Sequence, residues 1–166
     1  MREKRPVIKL PLRKEEFILE LISLASIIGM ILIIFQFWAD LPQQIPTHFG
    51  TSGQADEWGN KNAIFQLPVI AVFLYLLLTI INQFPHIFNY PWKITEENAR
   101  IQYQIARISL TIIKTEILLF FTYVQWSTIQ VSLGKYTDLG ILFLPIFLLT
   151  VFGTLGAFIY VSAKHR

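Results

Sequence analysis

Cysteine is absent from the 166 residues, and charge is sparse. Without a thiol the chain forms no disulfide, offers no thiolate to a metal and has no cysteine nucleophile. Only 15% of the residues are Asp, Glu, Lys or Arg, whereas 54% are hydrophobic. A soluble domain of this length would be short of surface charge, so the balance fits a membrane protein better. Internal repeats and low-complexity tracts are also missing, which excludes solenoids and flexible linkers.

Long apolar stretches are what the chain has in quantity. Four runs, 17–38, 64–82, 109–131 and 139–162, reach the roughly 20 residues needed to cross a hydrocarbon core of about 30 Å. They predict an all-α membrane protein with four transmembrane helices, a basic tail over 1–16 and a single membrane domain over 17–166. The first run exceeds a signal-peptide apolar segment and has no small-residue cleavage site before the polar loop, so it stays as a helix. The lipid bilayer is the first partner this implies.

The cations are unevenly distributed. Arg2, Lys4, Arg5, Lys9, Arg13 and Lys14 precede the first run; Lys93, Arg100 and Arg107 lie after the second, and Lys164 and Arg166 close the chain. Alternate compartments thus hold eleven cations against two, Lys61 and Lys135, with Lys114 inside the third run. The positive-inside rule then puts both termini in the cytoplasm and the loop at 41–61 outside, at the cell membrane. A nucleic-acid role for the basic tail would want aromatic interleaving or a known fold, and neither is present.

Pro85 and Pro91 stop the second helix, and Thr95 with Glu96 and Glu97 forms a helix-start signal. Helix 3 is expected from there to about Val131, longer than a bilayer is thick. It carries unusual polarity. Arg100, Gln104, Arg107, Thr111, Lys114, Gln125 and Ser132 form one stripe, and Glu116, Tyr123, Ser127 and Gln130 a second. The first should face other helices rather than lipid. Glu20, one turn inside helix 1, is the expected counter-ion of Lys114; Glu116 has no obvious partner and is the better functional candidate. In helix 4, Pro145 suggests a kink. Gly153 and Ala157 with Gly156 beside them permit close contact, within the chain or in a homo-oligomer.

The loop at 41–61 concentrates three of the eight glycines and two of the eight prolines beside His48, Asp56, Glu57, Trp58 and Lys61. Such backbone control marks a folded object. One histidine with two acids is a weak metal signature. Thr47, Thr51 and Ser52 near His48 do not complete a nucleophile with an oriented base. The favoured reading is that His48 and Asp56 hold the loop folded over the outer mouth of the bundle. The chain is read as non-enzymatic, with neither cofactor nor metal.

The residues Leu41, Pro42, Ile45, Pro46, Thr47, His48, Phe49 and Gly50, followed by Gly53, Gln54, Ala55, Asp56, Trp58, Gly59 and Lys61, carry a resemblance. They are similar to the signature of a bacterial membrane domain family of unknown function (domain of unknown function 1648), best known as the N-terminal part of SdpI-type immunity proteins. Phe88, Asn89, Tyr90, Pro91, Ile94, Thr95, Glu96, Glu97, Asn98 and Ala99, with Tyr103 and Arg107 after them, also resemble the next stretch of the chain in relatives. SdpI-type proteins carry further transmembrane segments forming a second conserved domain, which is not visible in these four helices.

The resemblance implies protection against a secreted antimicrobial protein or peptide, sensed by the outer loop, with a cytosolic repressor recruited on the inner side. The recognition residues it points to are Pro42, Pro46, His48, Gly53, Asp56, Trp58, Gly59 and Lys61. Asn89, Tyr90, Pro91, Glu96, Glu97 and Asn98 would form the cytoplasmic motif. Glu20, Lys114 and Glu116 are the intramembrane polar residues, and the alternative is a small transporter or permeation subunit using Glu116, Lys114 and the polar stripes of helix 3.

Overall fold

A computed structural model describes residues 5–166; Arg2 and Lys4 of the basic tail lie outside the described residues. Helix α1 spans Lys14–Phe37, followed by strands β1 (Gln44–Phe49) and β2 (Ala55–Asn60). A 3₁₀ turn over Lys61–Phe65 leads into α2 (Gln66–Ile81), and α3 (Ala99–Ser132) and α4 (Phe143–Ala163) complete the chain. The fold is thus mostly helical. It departs from the all-α expectation by one antiparallel two-stranded sheet inside the 41–61 loop.

Three segments, Lys14–Phe37, Lys61–Ile81 and Phe143–Ala163, are long and apolar enough to cross a membrane. Helix α3 is not in that set, although the run at 109–131 was expected to be a span. At 34 residues it is about 51 Å long, but it buries polar side chains along its length: Gln102, Thr111, Lys114, Thr115, Gln125, Ser127, Thr128 and Gln130. These groups lower its hydropathy because α3 is the central element, packed against α1, α2, α4 and the hairpin. By contrast, the outward faces of α1, α2 and α4 carry exposed apolar residues such as Phe35, Phe73 and Leu149.

Two expected helix features take a different form. Helix α3 begins at Ala99, four residues beyond Thr95. Residues 96–98 form a turn in which the Asn98 side chain accepts the Thr95 amide (2.9 Å) and the Thr95 hydroxyl accepts the Asn98 amide (3.4 Å). The threonine still caps, through a reciprocal pair placed one turn earlier. Pro145 stands third in α4, within the first turn, where its missing N–H deprives no helical carbonyl. It starts the helix instead of kinking it, and Pro68 has the same position in α2.

The inner layer of the bundle is tied by hydrogen bonds between helices. Lys114, buried on α3, donates to Glu20 on α1 (2.6 Å) and to Thr79 on α2 (2.8 Å), with its ammonium over the Tyr75 ring. Ser23 and Thr115 share a hydrogen bond (2.9 Å), and Asn82 donates to Thr111 (3.0 Å). At one end, Gln102 bridges to the C-terminus by donating to the Ser162 and His165 carbonyls and accepting from the Ser162 hydroxyl. The N-terminal segment lies at that same end. Arg5 binds the His86 and Phe88 carbonyls, Tyr103 binds the Pro6 carbonyl, and Arg107 joins Leu10 to Glu16. Arg5 and its neighbours therefore do more than carry charge: they close the base of the bundle.

Removing Lys114 alone leaves the partly buried Glu20 carboxylate, 19% exposed, without its cation, which costs up to about 3–5 kcal/mol. Lys114→Met should show that loss in denaturant unfolding in detergent micelles. The Lys114→Met, Glu20→Leu double variant should recover most of it. A single substitution costing under about 1 kcal/mol, as an exposed pair would, would contradict the central role of the pair.

Candidate functional site

At the other end of the bundle the 41–61 loop folds back as the β1–β2 hairpin. Leu41 and Ile45 reach into a cluster with Ile34 of α1, Ile64 of the 3₁₀ turn and Ile129 of α3, all at most 4% exposed. Each such burial contributes about 1.5–3 kcal/mol, which pins the base of the hairpin to the helices. Gly53, at the turn, has φ +82°, a conformation glycine adopts at no steric cost. Its carbonyl accepts the Leu139 amide (2.9 Å), and Gln54 pairs with Asp138. Both ends of the hairpin are thus fastened, one to α1 and α3 and the other to the α3–α4 connection.

The strand register is irregular. Pro46 faces Trp58 and His48 faces Glu57, so Thr47 is an extra residue on β1; Phe49 faces Ala55, so Asp56 is an extra residue on β2. Two opposed bulges of this kind re-aim side chains without ending the pairing. They bring His48 Nδ1 to 2.6 Å from Asp56 Oδ1. Both side chains are about half exposed (59% and 52%), so water screens the pair and it acts as a positional clasp. Its hydrogen bond to Asp56 and then the Asp56 charge, with Glu57 adding, raise the His48 pKa above the ordinary 6.5.

The candidate recognition residues divide into two groups. Trp58 is 52% exposed, and it stands beside the exposed His48, Asp56 and Glu57 on the hairpin. Pro42 is also exposed, at the loop's entry. The others build the scaffold. Lys61 donates to the Trp38 carbonyl at the end of α1 (3.2 Å) and lies over the Trp38 ring at 4.3 Å, a cation where the helix dipole favours one. Pro46 is buried. A Cβ at Gly59 would stand 2.8 Å from Thr47 Cγ2, so this position has no room for a side chain while Thr47 keeps its place.

The residues of the 88–99 motif divide in the same way. Tyr90 donates to the Pro85 carbonyl (2.8 Å) and packs beside Phe88 and Tyr103 under the Arg5 guanidinium. Asn98 also donates to the Lys93 carbonyl, while Asn89, Pro91, Glu96 and Glu97 are exposed. Glu116 is not brought to Lys114. It receives the hydroxyl of Thr154 on α4 (2.6 Å), and its second oxygen is buried without a hydrogen-bond partner among the described residues. Thr154 was missed by sequence reasoning, although Thr150 and Thr154 form an i, i+4 polar pair on an otherwise apolar helix. Among the described residues, no group of three or more His, Cys, Asp or Glu is placed to hold a metal ion.

Residues 25–72 match the family described as Domain of unknown function (DUF1648). The match contains the end of α1, the whole hairpin and the start of α2, and stops short of the 88–99 motif. An uncharacterized protein of Archaeoglobus fulgidus is 32% identical over 62 residues, covering 32% of this chain and 34% of that protein. The similarity therefore spans about a third of the relative's length. No solved structure matches.

Two outcomes are expected at the hairpin. Gly59→Ala should loosen it by about 1 kcal/mol through overpacking, seen as faster amide hydrogen exchange over 44–60, and Thr47→Ala added to it should restore protection. A raised folded pKa means that the clasp's contribution is complete below about 6.5 and lost as pH rises through the folded value. In NMR titration the His48 imidazole should show a midpoint above 6.5, returning toward 6.5 in Asp56→Asn. A wild-type midpoint at or below 6.5 would overturn the clasp.

Proposed function

We propose that this chain is an integral membrane protein that recognises an extracellular protein or peptide through the exposed face of its hairpin. In this reading α3 crosses the bilayer as a fourth span, sheltered by α1, α2 and α4. The cation-poor hairpin and α3–α4 connection face outward, and both termini lie in the cytoplasm, as the eleven-to-two division of cations favours.

A single observation carries the proposal. The hairpin is fastened at both ends, yet its Trp58, His48, Asp56 and Glu57 are exposed. An exposed aromatic on an anchored hairpin that also displays polar and charged side chains suits a protein-binding hot spot. The adjacent acids suit a basic partner by charge complementarity. The resemblance to SdpI-type immunity proteins makes a secreted antimicrobial peptide or protein the partner to test first. At the opposite end, the exposed Glu96, Glu97, Asn89 and Pro91 form the surface a cytosolic repressor would meet.

The reading is tested in the host by deleting the gene and challenging the cells with supernatant from wild-type culture. Protection should return on complementation with the wild-type gene, and with Gln43→Ala. Trp58→Ala and Asp56→Asn should each lose at least tenfold in protection, with membrane levels checked by immunoblot. Unchanged survival of the deletion strain, or full protection by the Trp58→Ala, Asp56→Asn double variant, would sink the proposal.

A further inference from the structure

A crevice of about 490 Å³ opens on the side of the bundle between α3 and α4. Its walls are apolar, contributed by Leu119 and Phe120 of α3 and by Leu142, Phe143 and Ile146 at the start of α4. Leu119, Leu142 and Ile146 are 49%, 63% and 50% exposed, so the rim faces whatever surrounds the helices, which in a bilayer is lipid. Helix α4 packs chiefly on α3 and buries only Ser162. Entry from the side is therefore not blocked by another helix among the described residues.

One charged group lines this apolar space. Glu116 accepts the Thr154 hydroxyl with one oxygen, and its other oxygen is buried with no partner among the described residues. The nearest cation in sequence, Lys114, is committed to Glu20 and Thr79. The Glu116 carboxylate lines the crevice with a single hydrogen bond, from Thr154. Holding a carboxylate in apolar surroundings without a counter-charge costs free energy that a cation placed in the crevice would recover. Small-molecule sites have this character: a mostly apolar cavity of a few hundred Å³ with very few, well-placed polar groups.

We infer that the α3–α4 crevice is a binding site for a lipid-soluble amine, a compact apolar body carrying one ammonium group that pairs with Glu116. The ammonium supplies the compensating charge for the Glu116 carboxylate, and the apolar body displaces lipid from Phe120, Phe143 and Ile146. The site does not depend on the proposed recognition role of the hairpin. The two lie close, however: a second crevice, lined by His48 and Gly53 of the hairpin, shares Leu139, Gly140 and Phe143 with this one.

The test uses the full chain in nanodiscs of zwitterionic lipid, titrated calorimetrically at neutral pH with 1-adamantylamine and with its uncharged analogue 1-adamantanol. Empty nanodiscs supply the partition background. The amine should bind saturably and at least tenfold tighter than the alcohol, and Glu116→Gln should abolish that preference. Ile146→Trp, which fills the crevice from α4, should weaken the amine at least tenfold. Ile159→Trp, exposed farther along the same helix, should leave it unchanged. Should Glu116→Gln fail to assemble, the amine–alcohol preference and the Ile146→Trp result decide. Equal binding of amine and alcohol, preference retained in Glu116→Gln, unaltered binding in Ile146→Trp, or equal loss in Ile159→Trp would each overturn the site.

Discussion

The ammonium of Lys114 is the interaction on which the arrangement of the helices depends. It is buried on α3, and its partners come from two other helices: the Glu20 carboxylate of α1 and the Thr79 hydroxyl of α2. A charge so placed is tolerated only where every neighbour is correctly positioned, since an unpaired one costs several kcal/mol. Three helices therefore have to meet at one depth and one rotation. The Ser23–Thr115 and Asn82–Thr111 hydrogen bonds repeat the requirement on either side. Apolar packing alone would not set helix rotation so strictly, because lipid competes equally well for apolar faces.

With α3 held in this way, its two ends become platforms. At one end Gln102, Tyr103 and Arg107 collect the C-terminus and the N-terminal segment by hydrogen bonds to their backbone. At the other, Ile129 takes part in the cluster that receives Leu41 and Ile45. The hairpin is consequently rigid at its base, and its exposed side chains are held in place by the helices beneath them. Helix α4 is the exception. It lacks a polar tie to α1 or α2 among those described and leans on α3, which leaves Glu116, hydrogen-bonded to Thr154, lining an open crevice.

Several of these features were legible before any coordinates. Lys114 and Glu20 lie at comparable depths from the same side, and opposite charges at equal depth in apolar segments have few alternatives. The density of Gly and Pro between 41 and 61 announced a folded loop, and the 25–72 stretch does match a recognised family. The strands themselves were hidden. Pro46, Asp56, Glu57 and Gly59 are poor strand formers, and the bulges at Thr47 and Asp56 break the alternation by which a strand is read. The contact of Lys61 with the end of α1 was hidden likewise, because its neighbour in space, Trp38, lies 23 residues away.

The sequence by itself determined where the apolar helices run, where prolines interrupt them and which positions on α3 are polar at helical spacing. Those properties arise from local periodicity, which a linear reading captures. Tertiary structure alone decided the partners: Glu116 with Thr154 across 38 residues, Gln102 with Ser162 across 60 and Tyr103 with Pro6 across 97. Each of these hydrogen bonds depends on how whole helices lie against one another, and the energy that sets this is shared among many contacts.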